Sequence, residues 1–172
     1  MTGQEAVIFR DARREDVPAI VALLADDVLG ASREASPGPG GPSGSGRPSG
    51  AGGKVDDAYW AAFAMVAGDP RNRIIVAEEG GQVVGTLQLT LIPGLSRRGM
   101  LRAQIEGVRV ASGGRGRGLG RQMIEWAIAQ ARQAGCGLVQ LTSDKQRPGA
   151  IRFYESLGFT ATHEGLKLPL SR

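Results

Sequence analysis

The sequence predicts an α/β (α+β) fold in which helices pack on a single sheet. Segments typical of strands and helices alternate along the chain in the order β-α-α-β-β-β-α-β-α-β. The chain of 172 residues has about the length of one domain, and its 41% hydrophobic and 22% charged residues suit a globular protein with one core. We therefore predict a single domain that covers residues 1–172.

The first elements surround a segment of unusual composition. Residues 7–9 predict a short strand, and Asp16 is a candidate N-cap for a helix that continues to about residue 28. Residues 37–53 contain eight glycines, four prolines and three serines. Such a composition cannot bury apolar surface, so we predict a flexible insertion there. A second helix begins at Asp56 or Asp57 and ends before Pro70.

The second half of the chain supplies most of the sheet. Strands are predicted over residues 73–79, 82–92, 100–110 and 138–142, with a closing pair from Phe159 onward. The first two strands flank Gly80-Gly81 and predict a β-hairpin. Helices are predicted over residues 119–134 and 148–157, each followed by a glycine that is typical of a helix end.

Composition excludes several classes of function. One cysteine and one histidine, Cys136 and His163, rule out a disulfide framework and a His/Cys metal cluster, so we expect no metal. The longest apolar run, residues 60–67, is too short to span a bilayer, and no secretory leader is recognisable, so we expect a cytoplasmic protein without a membrane partner. The pI of about 9.8 raises nucleic-acid binding as an alternative. The arginines are scattered, however, so a smaller anion is the favoured ligand and we expect no nucleic-acid partner.

A glycine-rich loop is the strongest local signal for function. Residues 113–120 read G-G-R-G-R-G-L-G, between the strand that ends at Val110 and the helix that begins near Leu119. Glycine lets a backbone turn tightly and direct successive N–H groups at one point, beside the unpaired N–H groups of a helix start. A phosphate or pyrophosphate is the natural ligand, and a flexible turn is the alternative. The loop lacks the Gly-Lys-Ser/Thr of a Walker A motif and the G-x-G-x-x-G of a dinucleotide-binding motif.

Three segments resemble the GCN5-related N-acetyltransferase (GNAT) family. Arg115-x-x-Gly118-x-Gly120 is similar to its R/Q-x-x-G-x-G/A signature, residues 105–110 to its fourth strand, and residues 150–159 to its A-x-x-[FL]-Y-[EK]-x-x-G-F segment. The resemblance covers nearly the whole chain outside the insertion. It implies a mixed, mostly antiparallel central sheet with helices on both faces and a splayed pair of strands that holds acetyl-CoA.

The resemblance also implies which residues bind acetyl-CoA. Backbone groups of Val108 and Val110, which flank Arg109, would pair with the pantetheine amides. Arg115 would shape the loop or touch phosphate, or it is a solvated loop arginine. Arg147 stands where the family often has Asn, and would place a cation near the coenzyme phosphates. The pyrophosphate would be held by backbone N–H groups of Gly116, Arg117, Gly118, Leu119, Gly120 and Arg121.

Two residues match catalytic roles in the family. Tyr154 would be the general acid that protonates the departing thiolate of coenzyme A, unless it is a half-buried core tyrosine beside Phe153. Glu106 would accept the proton of the acceptor amine. A water relay is the rival for this step, and a glutamate paired with Arg102 or Arg109 is the structural alternative.

The resulting prediction is an enzyme that moves the acetyl group of acetyl-CoA to a primary amine of a small molecule or protein, by direct transfer in a ternary complex. The alternative is a non-catalytic acyl-CoA-binding regulatory module on the same fold. The adjacent Tyr59 and Trp60 would line an acceptor pocket or pack in the core, and the sequence does not identify the acceptor. A homodimer formed through the C-terminal strands, around residues 166–168, follows only by analogy with the family.

Overall fold

The structure, a computed structural model, describes residues 6–26 and 55–170, so the insertion predicted at 37–53 lies outside the described residues. Its helices and strands follow the predicted order up to the last helix. They are β1 (Ile8–Asp11), α1 (Val17–Ala25), α2 (Asp57–Ala67), β2 (Asn72–Glu79), β3 (Gln82–Ile92), β4 (Arg102–Val110), α3 (Leu119–Gln133), β5 (Leu138–Leu141) and α4 (Pro148–Glu155).

The five strands form one sheet in the order β1-β2-β3-β4-β5. Neighbouring strands are antiparallel except β4 and β5, which run parallel. This arrangement confirms the predicted mixed, mostly antiparallel sheet. The β4–β5 ladder runs only from the pair Arg102–Leu138 to the pair Ile105–Leu141, although β4 continues to Val110. β5 itself ends at Leu141, so beyond Ile105 the edge of β4 that faces away from β3 has no paired strand among the described residues, while the splay of the two strands stays a prediction.

Helices cover both faces of the sheet, as predicted. On one face, Ile75, Leu87 and Ile105 are buried in a cluster with residues of α3 such as Met123 and Ile124. Successive strand residues point to opposite faces, so the buried Val76 faces the other side. There α1 contacts β3 and β4 and buries its own apolar residues, Val17, Ile20 and Leu23. Each face of the sheet thus has its own apolar layer.

Asp16 occupies the N-cap position of α1, but its carboxylate does not cap the helix. Instead, it accepts hydrogen bonds from Arg10 Nη1 at 2.6 Å, Arg10 Nη2 at 3.0 Å and the backbone N–H of Arg13 at 2.7 Å. Arg10 also donates to Glu78 of β2. Hydrogen bonding by Arg10 holds the pKa of the buried Asp16 carboxyl below its ordinary value, against the opposing effect of burial. This network joins β1, β2 and the start of α1.

The predicted closing pair of strands is wrong for the described residues. No strand follows α4 in the range 159–170. Phe159 packs its ring against Tyr154 at a centroid distance of 5.9 Å, whereas three alternating leucines further along are exposed, namely Leu166, Leu168 and Leu170. The alternating pattern that predicted the strands requires a hydrogen-bonded neighbour, and this segment has none within the described part of the chain.

Candidate active site

The site begins where β5 ends and β4 continues past Ile105. Glu106 of β4 lies opposite Gln88 of β3, whereas the next pair in the ladder is Arg109 with Thr86, so β4 has one extra residue in this interval. The bulge contains Gly107, whose φ of 60° lies in the left-handed region that favours glycine. Beyond the bulge, the β4 edge that faces away from β3 is not paired with a strand in the described residues. An extended ligand can therefore lie along this edge.

Val108, Arg109 and Val110 form the open part of β4. Val108 and Val110 direct their side chains at the core on the α3 face. Their carbonyl oxygens accept hydrogen bonds from arginine side chains, Val108 from Arg109 Nη1 at 2.9 Å and Val110 from Arg115 Nε at 3.1 Å. Because the donors are side chains, these bonds lie outside the backbone ladder with β3. An amide group that approached Val108 along the open edge would compete with Arg109.

The glycine-rich loop presents backbone N–H groups at the start of α3. Gly116 and Gly118 have φ values of 78° and 80°, and Gly118 is the N-cap. The helix ladder begins with the N–H of Gln122, which donates to the Gly118 carbonyl at 3.1 Å. The N–H groups of the preceding residues, Leu119, Gly120 and Arg121, therefore lie before the first intrahelical bond. Together with the positive end of the helix dipole, they fit an anionic group of pyrophosphate size.

Three arginines of the loop and the first turn of α3 brace this region. Arg115 Nη2 donates to the carbonyl and the carboxylate of Asp26, both at 2.8 Å. Arg117 pairs with Glu79 at 2.7 Å. Arg121 donates to Ser156 Oγ at 3.0 Å and so ties the start of α3 to the end of α4. The contacts of Arg115 support the prediction that it shapes the loop. The acidic partners of the loop, Asp26 for Arg115 and Glu79 for Arg117, were missed because nothing local in the sequence marks a partner so distant along the chain.

Tyr154 lies half-buried on α4 between two aromatic rings. Phe153 and Phe159 make edge-to-face contacts with it at centroid distances of 5.1 and 5.9 Å. Burial raises the pKa of the Tyr154 phenol above its usual value of 10, while the positive charges of Arg109 and Arg147 act in the opposite direction. Tyr154 is therefore protonated at neutral pH and can donate a proton. The same two arginines place positive charge near the phenol, where a departing thiolate would be stabilised.

Glu106 is exposed and lies one residue beyond the last pair of the β4–β5 ladder. The structural alternative paired this residue with Arg102 or Arg109. Arg102 donates to Gln140 Oε1 at 3.4 Å, and Arg109 Nη1 donates to the Val108 carbonyl at 2.9 Å. The exposed side chain of Glu106 is accessible to an incoming molecule.

Trp60 is half-buried on α2. The guanidinium of the exposed Arg14 stacks on the Trp60 ring at 4.6 Å, so this contact lies at the surface. A cavity of about 330 Å³ lies between α2 and the start of β2, and none of the predicted site residues lines it. A smaller one of about 20 Å³ lies at the glycine-rich loop, beside Glu79 and Arg117.

None of the helices within residues 6–26 and 55–170 is long and apolar enough to cross a membrane. These ranges also contain no group of three or more His, Cys, Asp or Glu side chains arranged to hold a metal ion.

Comparison with known proteins identifies the family. The profile of the acetyltransferase (GNAT) family matches residues 47–159, and the chain belongs to this family of acyltransferases. It is 32% identical over 106 residues to aminoalkylphosphonate N-acetyltransferase from Salmonella typhimurium, with 62% of this chain and 68% of that protein covered. It is 33% identical over 98 residues to glucosamine 6-phosphate N-acetyltransferase from Trypanosoma brucei brucei, with 57% and 65% covered.

A solved structure extends the similarity over almost the full chain. The crystal structure of a transcriptional regulator from Bacillus halodurans C-125 superposes with a TM-score of 0.82 at 45% sequence identity, and the match covers 95% of this chain and 99% of that one. The family and the fold are therefore established together.

Proposed function

We propose that this protein transfers the acetyl group of acetyl-CoA to a primary amine by direct transfer in a ternary complex. The observation that carries the proposal is the continuity of three features. The open edge of β4 beyond Ile105 leads into the loop at Gly116 and Gly118, and Tyr154 lies close to Arg109 of that same strand. An elongated thioester with a pyrophosphate at one end fits this course.

Binding of acetyl-CoA is assigned to backbone groups. Val108 and Val110 offer their backbone groups to the pantetheine amides, and the N–H groups from Gly116 to Arg121 receive the pyrophosphate. Arg147, at the N-cap of α4, supplies positive charge on the side of Tyr154. When bound, acetyl-CoA supplies the activated acetyl group as a thioester.

Proton transfer is assigned to two side chains. Tyr154 holds its proton at neutral pH, as a phenol with the usual pKa of 10 does, and burial raises its pKa further. It delivers that proton to the sulfur that leaves. Glu106 receives the proton that the acceptor amine must lose before it attacks, directly or through a water relay. The exposure of Glu106, one residue beyond the last β4–β5 pair, supports this assignment.

A regulatory module that binds acyl-CoA without catalysis is the second candidate. The observation that favours it is the 45% identity to a protein named a transcriptional regulator. The names of two curated relatives, which refer to small amines bearing phosphonate or phosphate, favour an enzyme with a small-molecule acceptor. A cytoplasmic location, a homodimer and a reaction without a metal stay predictions.

Release of coenzyme A over a panel of primary amines separates the two candidates. The enzyme releases coenzyme A with at least one amine, and release falls in Tyr154→Phe while the affinity for acetyl-CoA is retained. A protein that binds acetyl-CoA tightly but releases no coenzyme A with any amine is the regulatory module. The Tyr154→Phe variant keeps the aromatic packing with Phe153 and Phe159, so a loss of activity reports on the hydroxyl group.

A further inference from the structure

A row of hydrogen-bonding side chains crosses four strands on one face of the sheet. Asn72 of β2 lies opposite Thr90 of β3, Thr90 opposite Gln104 of β4, and Gln104 opposite Gln140 of β5. We call these four residues the polar row. Residues directly opposite in a sheet point to the same face. All four side chains are half-buried, so they are partly accessible to a ligand.

Hydrogen bonds join the polar row into two pairs. Thr90 Oγ1 donates to Asn72 Oδ1 at 2.5 Å, and Gln140 Nε2 donates to Gln104 Oε1 at 2.7 Å. Each bond orients an amide group. The Gln104 amide uses its oxygen, so its Nε2 group retains two N–H donors for a ligand.

Glu106 belongs to the same face as the polar row. Arg102, Gln104 and Glu106 alternate along β4, so their side chains share one face, opposite that of the buried Ile105. Gln88 lies opposite Glu106, and its Nε2 donates to Asn72 Oδ1 at 3.3 Å, which leaves its amide oxygen as an acceptor. Two acceptors, a carboxylate and an amide oxygen, thus stand side by side. An ammonium group donates hydrogen bonds and accepts none, so these two acceptors suit it.

Arg102 marks the opposite end of this face. Its guanidinium contacts the neutral Gln140 amide at 3.4 Å, and it forms no ion pair with an acid in the described residues. Other half-buried arginines of the same sheet do have acidic partners, as Arg10 with Asp16 and Arg73 with Asp11 show. A half-buried cation without an acidic neighbour is suited to an anionic ligand.

Two further arginines reinforce the positive charge before β4. Arg97 and Arg98 lie in the Ser96–Gly99 turn with φ values of 53° and 59°, a left-handed conformation that is uncommon for residues other than glycine. Both are exposed. The start of β4 is therefore basic. Glu106 is the acidic side chain of this face of β4, and Arg109 follows it beyond the bulge.

From this polarity we propose that the acceptor is a primary amine that also carries an anionic group several bonds away. The amine lies at Glu106 and Gln88, the middle of the molecule lies over Gln104 and Gln140, and the anion lies at Arg102. About 13 Å of strand separates Arg102 from Glu106, at roughly 3.3 Å per residue. The long side chains of Arg102 and Glu106 shorten the distance between their charged groups. An acceptor whose amine and anionic group are several bonds apart therefore fits better than one in which they are close together. The inference rests on the acetyltransferase activity proposed above and names its acceptor class.

Steady-state kinetics with matched acceptors tests the inference. Suitable pairs are glucosamine 6-phosphate with glucosamine, and aminoalkylphosphonates of increasing chain length with the alkylamines of the same length. The wild-type protein prefers the anionic member of a pair. Arg102→Gln raises the KM for that member by about tenfold to a hundredfold, as expected for loss of a charged hydrogen bond, and leaves the neutral member within about twofold. Gln104→Glu, which adds a negative charge to the polar row, also raises the KM for the anionic member.

Arg132→Gln is the matched control, because it removes the same charge from the exposed end of α3, which covers the opposite face. It leaves both KM values unchanged, and acetyl-CoA affinity stays the same in all three variants. A protein that acetylates only amines without an anionic group overturns the inference. So does an equal effect of Arg102→Gln on both members of a pair. Neither outcome touches the proposed function, which fails instead if no amine of any class releases coenzyme A.

Discussion

Gly118→Ala tests the role of the glycine-rich loop, because Gly118 is the N-cap of α3 in the left-handed region, with φ of 80° and ψ of 0°. A Cβ atom added there would have no neighbouring atom within 4 Å, so the substitution causes no clash. Its cost is conformational, about 1–2 kcal/mol for a residue with a side chain in the left-handed region.

Gly113→Ala is the matched control in the same loop. Its Cβ would also meet nothing within 4 Å, and Gly113 does not have a positive φ. Both substitutions restrict the unfolded chain by a similar amount, about 0.4–1 kcal/mol, so this effect cancels between the two variants. The difference between them therefore isolates the left-handed backbone at Gly118.

Gly118→Ala therefore costs about 1–2 kcal/mol more than Gly113→Ala. This cost lowers the stability of the fold, weakens acetyl-CoA binding, or is divided between the two. If the loop keeps its shape, Gly118→Ala lowers the free energy of unfolding, which denaturant titration measures. If the loop relaxes, its N–H groups turn away and the Kd for acetyl-CoA rises by about tenfold for each 1.4 kcal/mol, which calorimetric titration measures. Two variants with equal stability and equal acetyl-CoA affinity would refute the assigned role of the left-handed backbone.

Three further predictions concern single side chains. Tyr154→Phe lowers kcat by about 10²–10⁴-fold with an unchanged acetyl-CoA Kd, and an unchanged kcat would remove Tyr154 as the acid. Burial raises the pKa of Tyr154, so we expect the wild-type activity that depends on its proton to fall only above the usual tyrosine pKa of 10. Glu106→Gln shifts the pH–rate profile to higher pH, and an identical profile would exclude Glu106 as the base. Asp16→Asn lowers the free energy of unfolding at neutral pH by about 3 kcal/mol, since it weakens a buried pair with Arg10. The pKa of Asp16 is lowered in the folded state, so this group stabilises the wild-type fold fully above its ordinary pKa of 3.8. The stabilisation is lost as the pH falls from that value toward the lower folded pKa. Denaturation at neutral and acidic pH measures both effects, with the exposed Asp57→Asn as control; equal stability of the two variants would contradict the prediction.

Local sequence patterns predicted most of the fold. The hairpin around Gly80-Gly81 formed with strands Asn72–Glu79 and Gln82–Ile92, within one residue of the predicted bounds. The helix predicted over 119–134 is observed at Leu119–Gln133. Both predictions rest on periodicity and turn residues, which are encoded within a few positions of each other. The glycine-rich loop was recognisable for the same reason.

Features that depend on distant partners were not predictable from local patterns. The leucines at 166, 168 and 170 alternate as in a strand, but alternation cannot reveal that no neighbouring strand pairs with them in the described residues. Asp16 has the residue type and position of an N-cap, yet its carboxylate serves Arg10 of β1. The polar row depends on the register of four strands, which no single segment of the sequence contains.

Amide hydrogen exchange with and without acetyl-CoA tests the central claim most directly, that the open edge of β4 and the loop after it hold this ligand. We expect acetyl-CoA to slow exchange at Val108 to Val110 and at Gly116 to Arg121, while the residues that line the cavity of about 330 Å³ beside α2 exchange as before. Protection confined to that cavity, or no protection in β4 and the loop at a saturating concentration of acetyl-CoA, would contradict the account.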